Sequence, residues 1–212
     1  MEWIRWVNKL EEAFDSIRLP GAEAQFSMAP ATRQAELKRL SGREVPRESA
    51  VLILFYPDKG KTWTVFIKRP TDGSVHSGQV AFPGGRVEEA DLSYTDTALR
   101  EAWEEVNINP SRVRVIGGLS KLHIPPSNFD VYPIVGYTTE RPDLKGNDEV
   151  DRIVEVDVEE LLDPETRTSK IIRHRLGQRV EVPCYFIEGE IIWGATAMIL
   201  GELIALINGD AS

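Results

Sequence analysis

The chain has 212 residues, 42% of them hydrophobic, and a formal net charge of −9. That length and apolar content support one substantial core rather than a repeat array or a disordered chain, and the negative balance opposes a protein that grips nucleic-acid backbones over a broad surface. No stretch approaches the ~18 consecutive apolar residues of a membrane span, while a lone Cys184 and an N-terminus without a signal-peptide pattern lead to the expectation of a reducing, cytoplasmic location.

In chain order, Trp3, Ile4, Trp6, Val7, Leu10, Phe14 and Ile17 recur at helical spacing and end at Leu19-Pro20-Gly21, predicting an amphipathic helix. Docking on the chain's own core is the favoured role of its apolar stripe, with a homodimer contact as the alternative. A second helix is expected from Thr32 to Leu40, so residues 1–45 read as an N-terminal helical extension packed on a domain spanning 46–212. Ala50 to Tyr56 and Thr62 to Lys68 are predicted strands joined at Pro57-Asp58-Lys59-Gly60 as a hairpin. A glycine-rich element carrying Gly84-Gly85 then leads into a helix. Beyond it, strands are predicted over Val113 to Ile116, Phe129 to Tyr137, Arg152 to Val156, Lys170 to His174 and Val180 to Ile187. Val158 to Leu162 reads as a short helix and Ala195 to Ile207 as a terminal one.

The helix after Gly84-Gly85 carries the most information. Ser93 and Asp96 have N-cap spacing, Thr97 to Val106 contains no Gly or Pro, and Asn107 suits the left-handed residue past the end. At ~100° per residue Glu101, Glu104 and Glu105 share one face, with Leu99, Ala102, Trp103 and Val106 assigned to the packing side. Three neighbouring acids repel by roughly 0.2–0.5 kcal/mol per pair, and only Arg100 stands near enough along the helix to offset them. A hard cation with oxygen ligands removes the conflict; a solvated acidic face is the other reading, and spacing alone does not decide between them.

Gly85, a spacer and Arg100-Glu101-Ala102-Trp103-Glu104-Glu105-Val106-Asn107-Ile108 resemble the Nudix box, G-x5-E-x7-R-E-U-x-E-E-x-G-U with U aliphatic. The spacer is one residue longer than usual, so the family's first Glu has no direct counterpart and Asp91 is the nearest acid in register. Asn107 stands for the terminal Gly, a tolerable replacement where φ is positive. Before the box, Arg69, Gly78 and Phe82-Pro83-Gly84-Gly85 resemble the coenzyme A pyrophosphatase branch, whereas Ile67, Pro70 and Ser74 replace its Thr, its Ser or Ala, and its second Arg.

The resemblance implies an α/β fold of the α+β type, a mixed β-sheet sandwiched between helices, and a diphosphatase requiring Mg²⁺ or Mn²⁺. It places the Gly85 carbonyl, Glu101, Glu104 and Glu105 at the metal, with Glu101 as ligand or general base and Arg100 orienting the acids. A downstream acid commonly adds a ligand or base, and Glu149, Asp151 and Glu155 are candidates. Arg69, His76, Gly78, Gln79, Phe82, Asn128 and Phe129 are the expected substrate contacts; His76 reads equally as a turn residue. The loop Ile124-Pro125-Pro126-Ser127-Asn128-Phe129 and Trp193 before the last helix are further pocket candidates, though a Pro-Pro turn and a capped helix need no ligand to explain them. Cys184, in an apolar strand, is expected to be a small buried residue. The implied substrate is a small diphosphate, coenzyme A or an acyl-coenzyme A, split to 3′,5′-ADP and (acyl-)4′-phosphopantetheine. ADP-ribose or a dinucleotide such as NADH is the alternative, supported by Ser74. A Nudix-fold binding or regulatory module without turnover is the third reading, opposed by the complete set of acids.

Overall fold

The computed structural model of the chain describes residues 2–15, 18–31, 45–73, 76–173 and 179–209. The helix expected over Thr32 to Leu40, Ile17, Ser74 and His174 lie outside those residues. The central sheet runs in the order β3 (Val80–Ala81), β2 (Lys61–Lys68), β1 (Arg47–Asp58), β7 (Phe129–Tyr137), β5 (Arg114–Gly118). Onto this path β4 (Gly84–Arg86) pairs with β1, β6 (Leu122–Ile124) with β7, and β8 (Arg152–Asp157) with β2. The β1–β7 pair is parallel and the other pairs are antiparallel, making the sheet mixed. A smaller sheet stacks β9 (Arg167–Arg173), β10 (Arg179–Ile187) and β11 (Glu190–Trp193).

Alternation along β1 assigns the two faces, because successive side chains of a strand point oppositely. Ala50, Leu52, Leu54 and Tyr56 pack with Ala98, Ala102 and Val106 of helix α3 (Tyr94–Val106). Ile53 and Phe55 join the larger core with Trp6 and Leu10 of α1 (Trp3–Asp15) and with the terminal helix α5 (Gly194–Asn208). Helices thus cover both faces of the sheet. Trp6 and Leu10 are fully buried, whereas Ile4, in the same apolar stripe, is largely exposed. The remaining helices are α2 (Gly21–Phe26) and α4 (Val158–Leu162).

The β1–β2 hairpin turns at Lys59 and Gly60, both with positive φ, which matches strand twist in a two-residue turn. The short elements α2, β6 and β11 are additions to the predicted set. Trp193 closes β11 and occupies the N-cap position of α5. Cys184 is buried and burial pushes its thiol up, so it is a poor nucleophile. Among the described residues no helix is long and apolar enough to cross a membrane.

Candidate active site

The bare turn and the acidic helix meet directly. In β4, Gly84 and Gly85 lie against Val51 and Ala50 of β1. A Cβ on Gly84 would fall 2.3 Å from the Ala50 carbonyl oxygen and 2.6 Å from the Val51 Cα, backbone atoms that cannot yield without shifting the strand. A Cβ on Gly85 would fall 2.4 Å from the Glu101 carboxyl carbon. The two glycines therefore let α3 close onto the turn: the Gly84 N–H donates to Glu105 Oε2 at 2.8 Å, and the Glu101 carboxyl group rests over Gly85.

Local sequence fixes the ends of α3. The Ser93 side chain accepts from the Asp96 N–H, and Asn107, at φ 61°, ends the helix in the left-handed conformation with its N–H on the Ala102 and Trp103 carbonyls. One assignment within the helix is reversed. Trp103, expected on the packing side, is 46% exposed, whereas Glu105, expected on the acidic face opposite it, is 2% exposed. The reason is angular in part: Glu105 lies ~20° from Ala98 around the helix, at the edge of the packed side, with Trp103 ~160° away from it. Its position beneath the turn is made tolerable by the Gly84 amide.

Arg100 is held from two directions. Asp91 takes its Nε and one terminal nitrogen, each at 3.0 Å, and that nitrogen also donates to the Arg86 carbonyl at 2.9 Å. The other nitrogen reaches Glu101 at 2.9 Å and Glu104 at 3.5 Å. Asp91 also accepts from the Thr97 hydroxyl and the Glu88 N–H. The Arg100 guanidinium, aided by these donors, holds the Asp91 carboxyl far below the usual carboxylate range. Asp91 therefore serves as the fixed partner of the arginine. Its role rests on the folded loop before α3, which the spacing to Gly85 does not encode.

The electrostatics separate the three acids. Burial raises the Glu105 carboxyl to about 7, opposed by the Gly84 N–H and by Arg69 and reinforced by Glu101 and Glu149. Burial also raises Glu101, against the pull of Arg100 and with further push from Glu104 and Glu149. Glu104 is half exposed. Among the described residues no three acid, His or Cys side chains converge on one point ready to bind an ion. Arg100 draws Glu101 and Glu104 towards itself while Glu105 turns to the Gly84 amide, so the ready-made triad expected from the helix face is held apart. The donors fit a hard divalent cation in kind, being oxygens on a glycine turn with no Cβ in the way. Releasing Glu101 or Glu104 to a cation leaves Arg100 still paired with Asp91.

The downstream acids are also distinguished. Glu149 acts on both Glu101 and Glu105. Glu155 is turned away, paired with Arg141 at 2.8 Å and accepting from Tyr56 at 2.7 Å. Asp151, whose N–H donates to the Lys68 carbonyl, is exposed. Of the expected substrate contacts, Arg69 reaches Glu105 electrostatically. Its N–H donates to the Gln79 carbonyl, the Gly78 N–H to the Pro70 carbonyl, and His76 Nδ1 lies 3.1 Å from Gln79 Oε1, closing the loop on itself. Phe82 is a correction: it is buried and packs on Phe66 with ring centroids 4.7 Å apart, so its ring is spent on the core. Asn128, at φ 52°, shapes the turn after Pro125. Phe129 lies beneath the Arg47 guanidinium at 4.2 Å. Since Arg47 pairs with Phe129 and Ala50 with Gly85, this loop sits three rungs along β1 from the turn.

A family model described as the NUDIX domain matches residues 46–176. Over 185 residues the chain is 34% identical to an uncharacterized Nudix hydrolase, NudL, of Pectobacterium atrosepticum, covering 87% of this chain and 91% of that protein. It is 38% identical over 167 residues to the NudL of Photorhabdus laumondii, covering 78% and 87% respectively. The crystal structure of a MutT/nudix family protein from Enterococcus faecalis shares the fold at 17% identity, with a TM-score of 0.53 over 89% of this chain and 73% of that one.

Proposed function

The chain belongs to the Nudix family, hydrolases that act on pyrophosphate bonds in nucleoside diphosphate derivatives and generally use divalent cations, and from that premise we propose coenzyme A or an acyl-coenzyme A as its cytoplasmic substrate. The observation that carries the reading is the meeting of Glu105 and Glu101 with the bare Gly84-Gly85 turn, directly after Arg69, Gly78 and Phe82-Pro83. The Gly85 carbonyl, Glu101, Glu104 and Glu105 would hold Mg²⁺ or Mn²⁺. The chemistry supplied by the bound ion is neutralisation of the non-bridging diphosphate oxygens and orientation of water for in-line attack.

The rest falls to side chains. Arg100, anchored by Asp91, positions Glu101 and Glu104. Glu101, whose carboxyl group rests over the Gly85 turn, is placed to accept the proton of the attacking water. Glu149 is the downstream acid favoured over Asp151 and Glu155 by its reach to both Glu101 and Glu105. Arg69 and the closed loop around His76, Gly78 and Gln79 supply phosphate recognition, with Asn128 and Phe129 further along the cleft. One water oxygen bonds to phosphorus, the P–O bond of the bridging oxygen breaks, and two phosphate monoesters leave.

Purified protein with Mn²⁺ is expected to release 3′,5′-ADP and 4′-phosphopantetheine from coenzyme A, read by chromatography. ADP-ribose or NADH is the second reading, supported by Ser74 where the branch has its second Arg. A clear preference for either over coenzyme A replaces the substrate assignment and leaves the reaction class standing.

A further inference from the structure

We propose that the side-chain amide of Asn107 is a positioning device for the reaction: it latches the loop 138–151, between β7 and β8, onto the C-terminus of α3 and so holds Glu149 at the acids. This role rests on the reading of Glu149 as the downstream acid. Backbone requirements at position 107 do not account for the side chain. The residue ends α3 at φ 61°, and its own N–H already caps the helix on the Ala102 and Trp103 carbonyls. Glycine, which the family motif has here, would serve that purpose without strain. What the asparagine adds is a donor: its Nδ2 reaches the Asp143 carbonyl, 36 residues on, at 2.7 Å, a bond that no glycine makes.

From that anchor the loop is tied to the carbonyls that the end of a helix leaves without intrahelical donors. The Lys145 N–H donates to the Val106 carbonyl and the Asn147 N–H to the Glu105 carbonyl, both at 3.2 Å. Leu144 and Val150 pack on the apolar cluster shared by α3 and β1. Asn147 passes the placement on, since its Oδ1 accepts from the Glu149 N–H at 2.8 Å. One asparagine thus fastens the start of the loop, and a second joins the backbone of Glu105 to that of Glu149. The result brings Glu149 within electrostatic reach of Glu101 and Glu105. Glu149 is itself exposed, so the course of the loop, rather than packing around its side chain, sets where its carboxylate stands.

Hydrogen exchange of the metal-free full chain tests the latch apart from catalysis. In Asn107→Gly the Lys145 and Asn147 amides are expected to exchange about three- to tenfold faster, the effect of one net hydrogen bond, with the amides of β1 unchanged. Turnover tests the consequence, with Mn²⁺ and whichever of coenzyme A, ADP-ribose and NADH the native protein splits fastest. Asn107→Gly and Asn107→Asp both tolerate positive φ and lack the donor, and each is expected to lower kcat about three- to tenfold with KM unchanged. In a Glu149→Gln background, itself slow, Asn107→Gly should add nothing, a non-additivity that a merely structural role would not produce. Native exchange rates in Asn107→Gly, or native kcat in either Asn107 variant beside a slow Glu149→Gln, overturn the latch alone, as does an undiminished further loss in the double variant. Native kcat in Glu149→Gln brings down the downstream-acid reading, and the positioning role of Asn107 with it.

Discussion

Two glutamates are buried to nearly the same degree, Glu105 in α3 at 2% exposure and Glu202 in α5 at 0%, yet their surroundings differ in kind. Glu202 accepts from the Gly21 and Ser120 N–H groups at 3.1 Å each and from the Gln25 side-chain amide at 2.8 Å. Glu105 accepts from the Gly84 N–H and shares its surroundings with Glu101 and Glu149. A carboxylate has about four acceptor positions. The one with three donors ties α2, the segment after β5 and the terminal helix together. The other is left with spare lone pairs and like-charged neighbours, an arrangement that costs stability and that a bound cation would relieve. Burial alone therefore does not separate the acid proposed for the metal site from the structural one; under-satisfied burial beside other acids does.

Exchanging the two side chains for neutral ones sharpens that contrast most. Glu105→Gln is expected to lower kcat by roughly 10²–10⁴-fold with the melting temperature unchanged or higher, because an amide carries no charge to bury. Glu202→Ala is expected to do the reverse, costing about 3–5 kcal/mol in urea unfolding with kcat intact in the folded fraction. A collapse of stability in the first variant, or of turnover in the second, breaks the comparison.

Asp91→Asn probes the support behind the acids. Losing the charge opposite Arg100 is expected to reduce activity about 10–100-fold, the usual effect of disturbing a residue that orients metal ligands. Because the folded Asp91 carboxyl is held below its ordinary range, its contribution to stability is complete above about pH 4 and lost as pH falls through the folded value. Acid unfolding of the variant should accordingly begin from a lower plateau and show a shallower descent below pH 4.

The smallest effect is a slope. With Glu105 raised to about 7, the folded state binds more protons than the unfolded one between the ordinary glutamate range and neutrality, so metal-free stability should fall from pH 5 to pH 7 and level off above. Melting curves across that range should show a flatter profile for Glu105→Gln. An identical slope in both proteins removes the claim that Glu105 is the strained group.

Features set by neighbours in sequence were legible before folding. The caps of α3 at Ser93 and Asn107, the Lys59-Gly60 hairpin and the long strands β1, β2 and β7 all follow from local patterning. The meeting of an acidic helix with a glycine turn was legible as a motif. Which acid lay beneath the turn was not, because that depends on the Gly84 amide, 21 residues away. Helical periodicity ranked Trp103 by its hydrophobicity and Glu105 by its charge, and tertiary contact reversed both. Phe82 was read with the glycines it precedes, although Phe66 claims its ring. Asp91 stood out only as the nearest acid in register from Gly85, with its partner Arg100 unread, and Glu202 carried no signal at all: the meaning of each comes from donors that folding brings to it. Short elements such as β6 and β11 are too brief for periodicity to reveal.

If Glu105 is the buried carboxyl that a divalent cation releases from strain, Mn²⁺ binding followed by electron paramagnetic resonance, with proton release recorded at pH 6.5, will show it. The expected outcome is saturable Mn²⁺ binding with protons displaced in the native protein, and loss of both in Glu105→Gln. Equal Mn²⁺ affinity and no proton release in either protein would contradict it.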